Sequence, residues 1–145
     1  MVPGLAGTIA SVDRRHQPQI ARVWSVRALG DSDQILVYVL RAASSALLEG
    51  IESSGRAALN LIEVSSYRSR LFKGTCRVSP EPIDAAFLDL SLAALNRAFH
   101  GVGMAPDTVE RILAHSDAPR DMIALCLTVE SVFDQSPKPG AGKRL

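Results

Sequence analysis

Residues 17–29 read QPQIARVWSVRAL, and the fold turns on where this run is placed. Ile20, Trp24 and Val26 recur at every second residue, the spacing of a strand with one buried face, and Arg22 falls on that same face. A guanidinium beside a core stripe costs several kcal/mol, about the order expected for a buried charge, unless something pairs with it. Arg22 therefore either reaches solvent at a barrel mouth or meets an anion.

Working outward, LAGTIASV (5–12) is a short apolar run ended by the polar turn DRRHQ, and GDSD (30–33) suits a hairpin after Leu29. QILVYVL (34–40) is almost wholly apolar, β-branched or aromatic, as a strand buried on both faces is. A three-stranded meander within the first forty residues follows as the expectation. ASSALLEGIESSG then places serines at an N-cap, Ala46, Leu47, Leu48 and Ile51 at helical spacing, and Gly55 at the stop. RAALNLIEV and YRSRLFKGTCRV are two more strands, and Gly74 inside the second predicts a bulge or the close approach of another backbone or ligand.

Past Pro80 and Pro82 the period changes again, with Phe87, Leu88, Leu92, Leu95 and Phe99 on one helical face, and a short helix behind Pro106. After DAPRD, MIALCLTVESVF is a last long strand, and 134–145 is an irregular, flexible tail rich in Pro and Gly. The reading is a single domain over 1–145, mainly β with α+β character. It is an antiparallel barrel of about six strands with two to three helices, and a helical insert at about 82–119.

Composition narrows the function. A net charge of +1 and no basic run with interleaved aromatics argue against nucleic acid. No stretch has membrane-spanning length and the N-terminus lacks a signal-peptide pattern, so a cytoplasmic protein is the default. Cys76 and Cys126 read as two reduced thiols on strands, and His16, His100 and His115 show no metal-ligand spacing. GAGKR (140–144) has Pro137 where a phosphate loop needs its first glycine and Arg144 where it needs a hydroxyl. With no G-x-S-x-G elbow and no self-contained triad, any catalysis would draw its reactivity from a cofactor.

The order of these pieces resembles the pyridoxamine 5'-phosphate oxidase-like FMN-binding split barrels. The likeness runs through TIASVDRRHQPQIARVWSV, SSALLEGIESSGRAALNLIE, YRSRLFKGTCRV and VESVFDQSPKPGAG, and covers most of the chain outside the helical stretch. It implies a split barrel forming a homodimer with FMN at the interface, a small-molecule substrate, and flavin-dependent oxidoreductase activity. Carried onto this chain, Arg22, Val23, Trp24 and Ser25 would run along the flavin, with Arg22 on its phosphate. Ser44 and Ser45 would donate to the same phosphate from a helix start, or serve as plain N-caps. The oxidases' S-R-K is replaced by Ser45-Ala46-Leu47, a loss of two charged contacts worth roughly 3–6 kcal/mol, which Arg41, Lys73 or Arg70 would have to offset. Ser69 stands where the oxidases have a glutamine near the flavin edge. Two readings follow: an FMN or deazaflavin oxidoreductase, or a non-catalytic dimer that has lost its flavin and serves as a binding or regulatory module.

Overall fold

The computed structural model describes residues 3–114 and 121–145. His115 and most of the DAPRD segment lie outside the described residues. Seven strands form one antiparallel sheet: β1 (Leu5–Val12), β2 (Pro18–Val23), β3 (Ser25–Ala28), β4 (Gln34–Leu40), β5 (Arg56–Glu63), β6 (Ser69–Val78) and β7 (Met122–Asp134). Their order across the sheet is β2-β1-β5-β6-β7-β4-β3. Only Trp24 separates β2 from β3 in sequence, yet they are the two edges of the sheet. A single residue cannot span an open seven-stranded sheet, so the sheet curls until its edges meet. The barrel is joined there by the chain rather than by a ladder. That is a split barrel.

This corrects the expected meander. The run 17–29 is not one strand: β2 pairs only with β1 and β3 only with β4. Val23, Trp24 and Ser25 are buried in succession, which no single strand face allows, so the chain turns a corner at Trp24. The Trp24 N–H donates to the Tyr38 carbonyl (2.9 Å), tying the corner to β4.

The barrel interior is filled by Ile9, Val23, Val37, Leu59, Leu125 and Leu127, each buried. Helix α1 (Ser45–Ser54) adds Leu47 and Ile51 to that cluster, and the Gly55 N–H closes its last turn on the Ile51 carbonyl (2.8 Å). Each fully buried Leu or Ile contributes about 1.5–3 kcal/mol, an upper figure. The outer face of β3, β4 and β7 is covered too. There Trp24, Leu36, Tyr38, Met122, Ala124 and Cys126 pack with Leu88 of helix α2 (Ala85–Gly101). Alternate residues of QILVYVL thus enter two different cores, as its composition predicted. Leu95 and Phe99 of α2 pack with Val64 and with Val109 of helix α3 (Pro106–Leu113).

At Gly74 the β6–β7 register shifts, and a Cβ built there would sit 1.8 Å from the Thr128 carbonyl oxygen. The expected bulge and the expected close approach are the same feature. The tail runs through turns and bends. It returns along β7: the Asp134 N–H donates to the Lys143 carbonyl (2.9 Å), the Leu145 N–H to the Val132 carbonyl (2.8 Å), and Phe133 bridges Arg144. Gly140 and Gly142, at φ 90° and 89°, make the reversal that other residues resist. Cys76 and Cys126 are free and buried, and burial, with Cys126 nearby, pushes the Cys76 thiol up to about 12. No described helix is long and apolar enough to cross a membrane, and the described residues contain no group of three metal-ligating side chains.

Candidate functional site

The strand arginine has a different setting from the one its alternation suggested. Ile20 is 65% exposed while Ala21 and Val23 line the interior, so Arg22 points outward with Ile20 and not into the barrel. Its guanidinium stacks on Trp24, 4.1 Å from the ring centroid, and Nη1 donates to the Ile112 carbonyl at 2.9 Å. Ile112 lies in the last turn of α3, where free carbonyls and the helix dipole favour a cation. Burial pulls the Arg22 pKa below its ordinary value, but a guanidinium stays charged. The stray charge of residues 17–29 is thereby satisfied from 90 residues away.

The turn from β4 into α1 holds Arg41, Ser44 and Ser45. Ser44 is the N-cap residue of α1, but its side chain caps nothing. Its Oγ is buried, the residue only 2% exposed, and it has no hydrogen-bond partner. Ser45, Ala46 and Arg41 beside it are exposed, and the first turn of α1 carries no acidic residue. The first-turn N–H groups of this ten-residue helix therefore have neither a side-chain cap nor an acidic neighbour on the helix to meet them. A buried hydroxyl without a partner costs about 1–3 kcal/mol, which makes Ser44 the position in this turn that needs an explanation. An anion held by the helix start supplies one.

Ser69 and Lys73 are elsewhere. Both project from the outer face of β6, and β5 and β1 separate that strand from β2. The Ser69 hydroxyl donates to Asn60 Oδ1 (3.1 Å), and the Lys73 ammonium sits 5.0 Å over the Phe133 ring. This outer face belongs to strands other than β3, β4 and β7, over which α2 packs. Ile20, Val12 (42% exposed) and Tyr67 (60%) lie bare on it or at its rim.

Trp24 and Ser25, expected along a flavin, line a pocket of about 420 Å³ at the open edge of β3 together with Val26 and Arg27, which the sequence did not single out as site residues, and with Leu5, Leu61, Phe87 and Ser91. Arg27 donates from Nη1 to Asp84 Oδ2 (2.9 Å), the N-cap of α2, with Glu81 at 3.9 Å from Nη2. Its Nε is buried without a partner. Arg27 stands five residues after Arg22, but the corner at Trp24 that aims it into this pocket leaves no local mark.

No protein-family model matches the chain, and no curated protein matches it. Solved structures do resemble it. A pyridoxamine 5'-phosphate oxidase-related, FMN-binding protein of Nostoc punctiforme is 14% identical (96% of this chain, 78% of that one, TM-score 0.55). An F420 reductase is 16% identical (90% of each chain, TM-score 0.54). HutZ, described as the heme storage protein of Vibrio cholerae, is 14% identical (90% and 87%, TM-score 0.50). At such identities the likeness is one of fold, and that fold carries three different ligands.

Proposed function

We propose, for a chain with the split-barrel fold of the pyridoxamine 5'-phosphate oxidase-like FMN-binding proteins, that it holds a flavin by its phosphate at the start of α1 and acts as a flavin-dependent oxidoreductase on a small molecule. The observation that carries this reading is the buried, unpartnered Ser44 hydroxyl at an uncapped helix N-terminus. The Ser44 hydroxyl donates to a phosphate oxygen, with the first-turn N–H groups and the Ser45 hydroxyl beside it. The exposed Arg41 guanidinium adds the charge that the missing S-R-K would have supplied. The Val23–Ser25 corner runs beside the ring, and Arg22 keeps α3 docked against it. FMN, or a deazaflavin in its place, would supply the hydride chemistry.

The dimer belongs to the same proposal. The exposed Ile20, Val12 and Lys73 of the outer face offer a second copy a surface to cover, which would bring Lys73 to the interface, while Ser69, 5% exposed, is already buried within the protomer. Free thiols fit a reducing cytoplasm.

A second reading has its own observation: Arg22 is already committed to Ile112, so the phosphate clamp is weaker than the family pattern implies. In that case the chain is a flavin-free dimer that binds or regulates. The visible spectrum of the freshly purified protein, followed by FMN titration, decides between them. Retained flavin or FMN binding below about 10 μM supports the first reading. A colourless protein indifferent to FMN, or one that takes up hemin in its place, overturns it.

A further inference from the structure

We propose that the end of the barrel away from α1 binds a small monocarboxylate with an apolar body. Helix α1 enters between Leu40 and Arg56, the ends of β4 and β5, and its Leu47 and Ile51 fill the barrel from that side. At the other end, where β1 and β6 begin and β5 finishes, the half-buried Leu5, Leu61 and Phe72 line a pocket of about 350 Å³ with Glu63, Arg68 and Arg70. Strand pairing explains the grouping. Leu5 stands opposite Glu63, Leu61 opposite Arg70 and Leu59 opposite Phe72, so these side chains share the inward face that the buried Leu59 fills deeper in. The volume suits a small molecule.

Its charges select the ligand. Arg68 is spent on Glu63, with Nη2 at 2.8 Å and Nε at 3.1 Å from Oε2, and the Ser66 hydroxyl donates to the same oxygen. Asp134, across from Arg70 on β7, is spent on Lys138 (2.8 Å) and on the Ser136 N–H (2.9 Å). Arg70 makes no hydrogen bond or ion pair with any described residue. Arg68, Arg70 and Lys138 against Glu63 and Asp134 leave one positive charge, and it is Arg70's. A free guanidinium fork matches a carboxylate in bidentate fashion, and the apolar walls beside it take the rest of the ligand out of water. An amine would add a second positive charge, and an alcohol would leave the guanidinium unmatched.

The site stands apart from the flavin reading. It shares Leu5 and Leu61 with the β3-edge pocket but contains neither Trp24 nor Ser25. Nor does Arg70 reach a phosphate at α1. The Arg41 N–H is bonded to the Asp121 carbonyl, whereas Arg70 pairs with Asp134, thirteen residues later and roughly 40 Å along the strand. Its side chain also lies on the opposite face of β6 from Ser69 and Lys73.

The test is calorimetric titration of the intact protein with hexanoate, octanoate, octan-1-ol and octylamine. Octanoate should bind saturably, one per chain, with hexanoate about tenfold weaker for its two missing methylenes. Octanol should bind at least about tenfold more weakly than octanoate, and octylamine should not saturate. Arg70→Gln should weaken octanoate binding at least about tenfold and leave octanol binding and the urea midpoint unchanged, because the exposed Arg70 carries no bond of the fold. Absence of saturable octanoate binding, octanol or octylamine binding as tightly as octanoate, or an unchanged octanoate Kd in R70Q overturns the assignment. FMN titration of the same samples, read by flavin absorption, keeps the two readings apart: FMN uptake without octanoate binding rejects the carboxylate site alone, and octanoate binding without FMN uptake rejects the flavin alone.

Discussion

Replacing Arg22 with methionine separates an arginine that builds the fold from one that waits for a phosphate. The substitution keeps an unbranched apolar stem over Trp24 and removes only the guanidinium. Two interactions go: the Nη1 bond to the Ile112 carbonyl at 2.9 Å and the stack on Trp24 at 4.1 Å. A hydrogen bond to a charged group is worth about 1.5–3 kcal/mol and a partly exposed cation–π contact about 0.5–1. Against these stands the relieved cost of holding a half-buried guanidinium, about 1 kcal/mol, since Met needs no hydration. The net expectation is a loss near 2 kcal/mol. For a domain of this size, with m about 1.5 kcal/mol/M, the urea midpoint should fall by about 1.3 M at unchanged m. Circular dichroism during urea unfolding measures this, and an FMN titration runs alongside. A loss under about 0.5 kcal/mol would refute the structural role, because the α3 carbonyl would then not depend on Arg22. A tenfold fall in FMN affinity at unchanged stability would show instead that the guanidinium serves the phosphate.

Ser44→Ala should leave the free protein as stable or stabilise it by up to about 1 kcal/mol, since it deletes a buried hydroxyl with no partner, and should weaken FMN binding about tenfold; calorimetry and flavin titration read the two effects. Gly74→Ala drives a Cβ into the Thr128 carbonyl and should cost about 2–4 kcal/mol by urea unfolding, a loss below 1 kcal/mol showing that β7 yields there. Asp134 is held well below the usual carboxylate range, first by Lys138 and then by Ser136. A depressed carboxylate contributes stability above its unfolded value of 3.8 and loses it as the pH falls through the lower folded value. The tail should therefore stay docked at about pH 4 and loosen only further into acid, and loss of Leu145 amide protection near pH 5 would contradict this.

How much of this was legible can be seen residue by residue. QILVYVL announced a strand buried on both sides because its composition left no polar face, Gly55 ended α1 as a helix stop should, and Gly74 carried its bulge in being glycine where two backbones nearly touch. The candidate site was legible only in part. Ser44 could be placed at a helix start, but its lack of a cap bond and its burial depend on what packs over the turn.

Sequence by itself placed the helices and most of the strands in order, because alternation, capping and backbone strain act over a few residues, but it joined β2 and β3 into one strand. Which side of residues 17–29 is buried was decided elsewhere. A strand's pattern shows two faces but cannot say which of them α2 will cover, or that the chain must turn a corner at Trp24 so that two sheet edges can meet. The partner of Arg22 lies 90 residues on and that of Arg27 57 residues on, and only the closed barrel with its helical cover brings those groups within hydrogen-bonding distance.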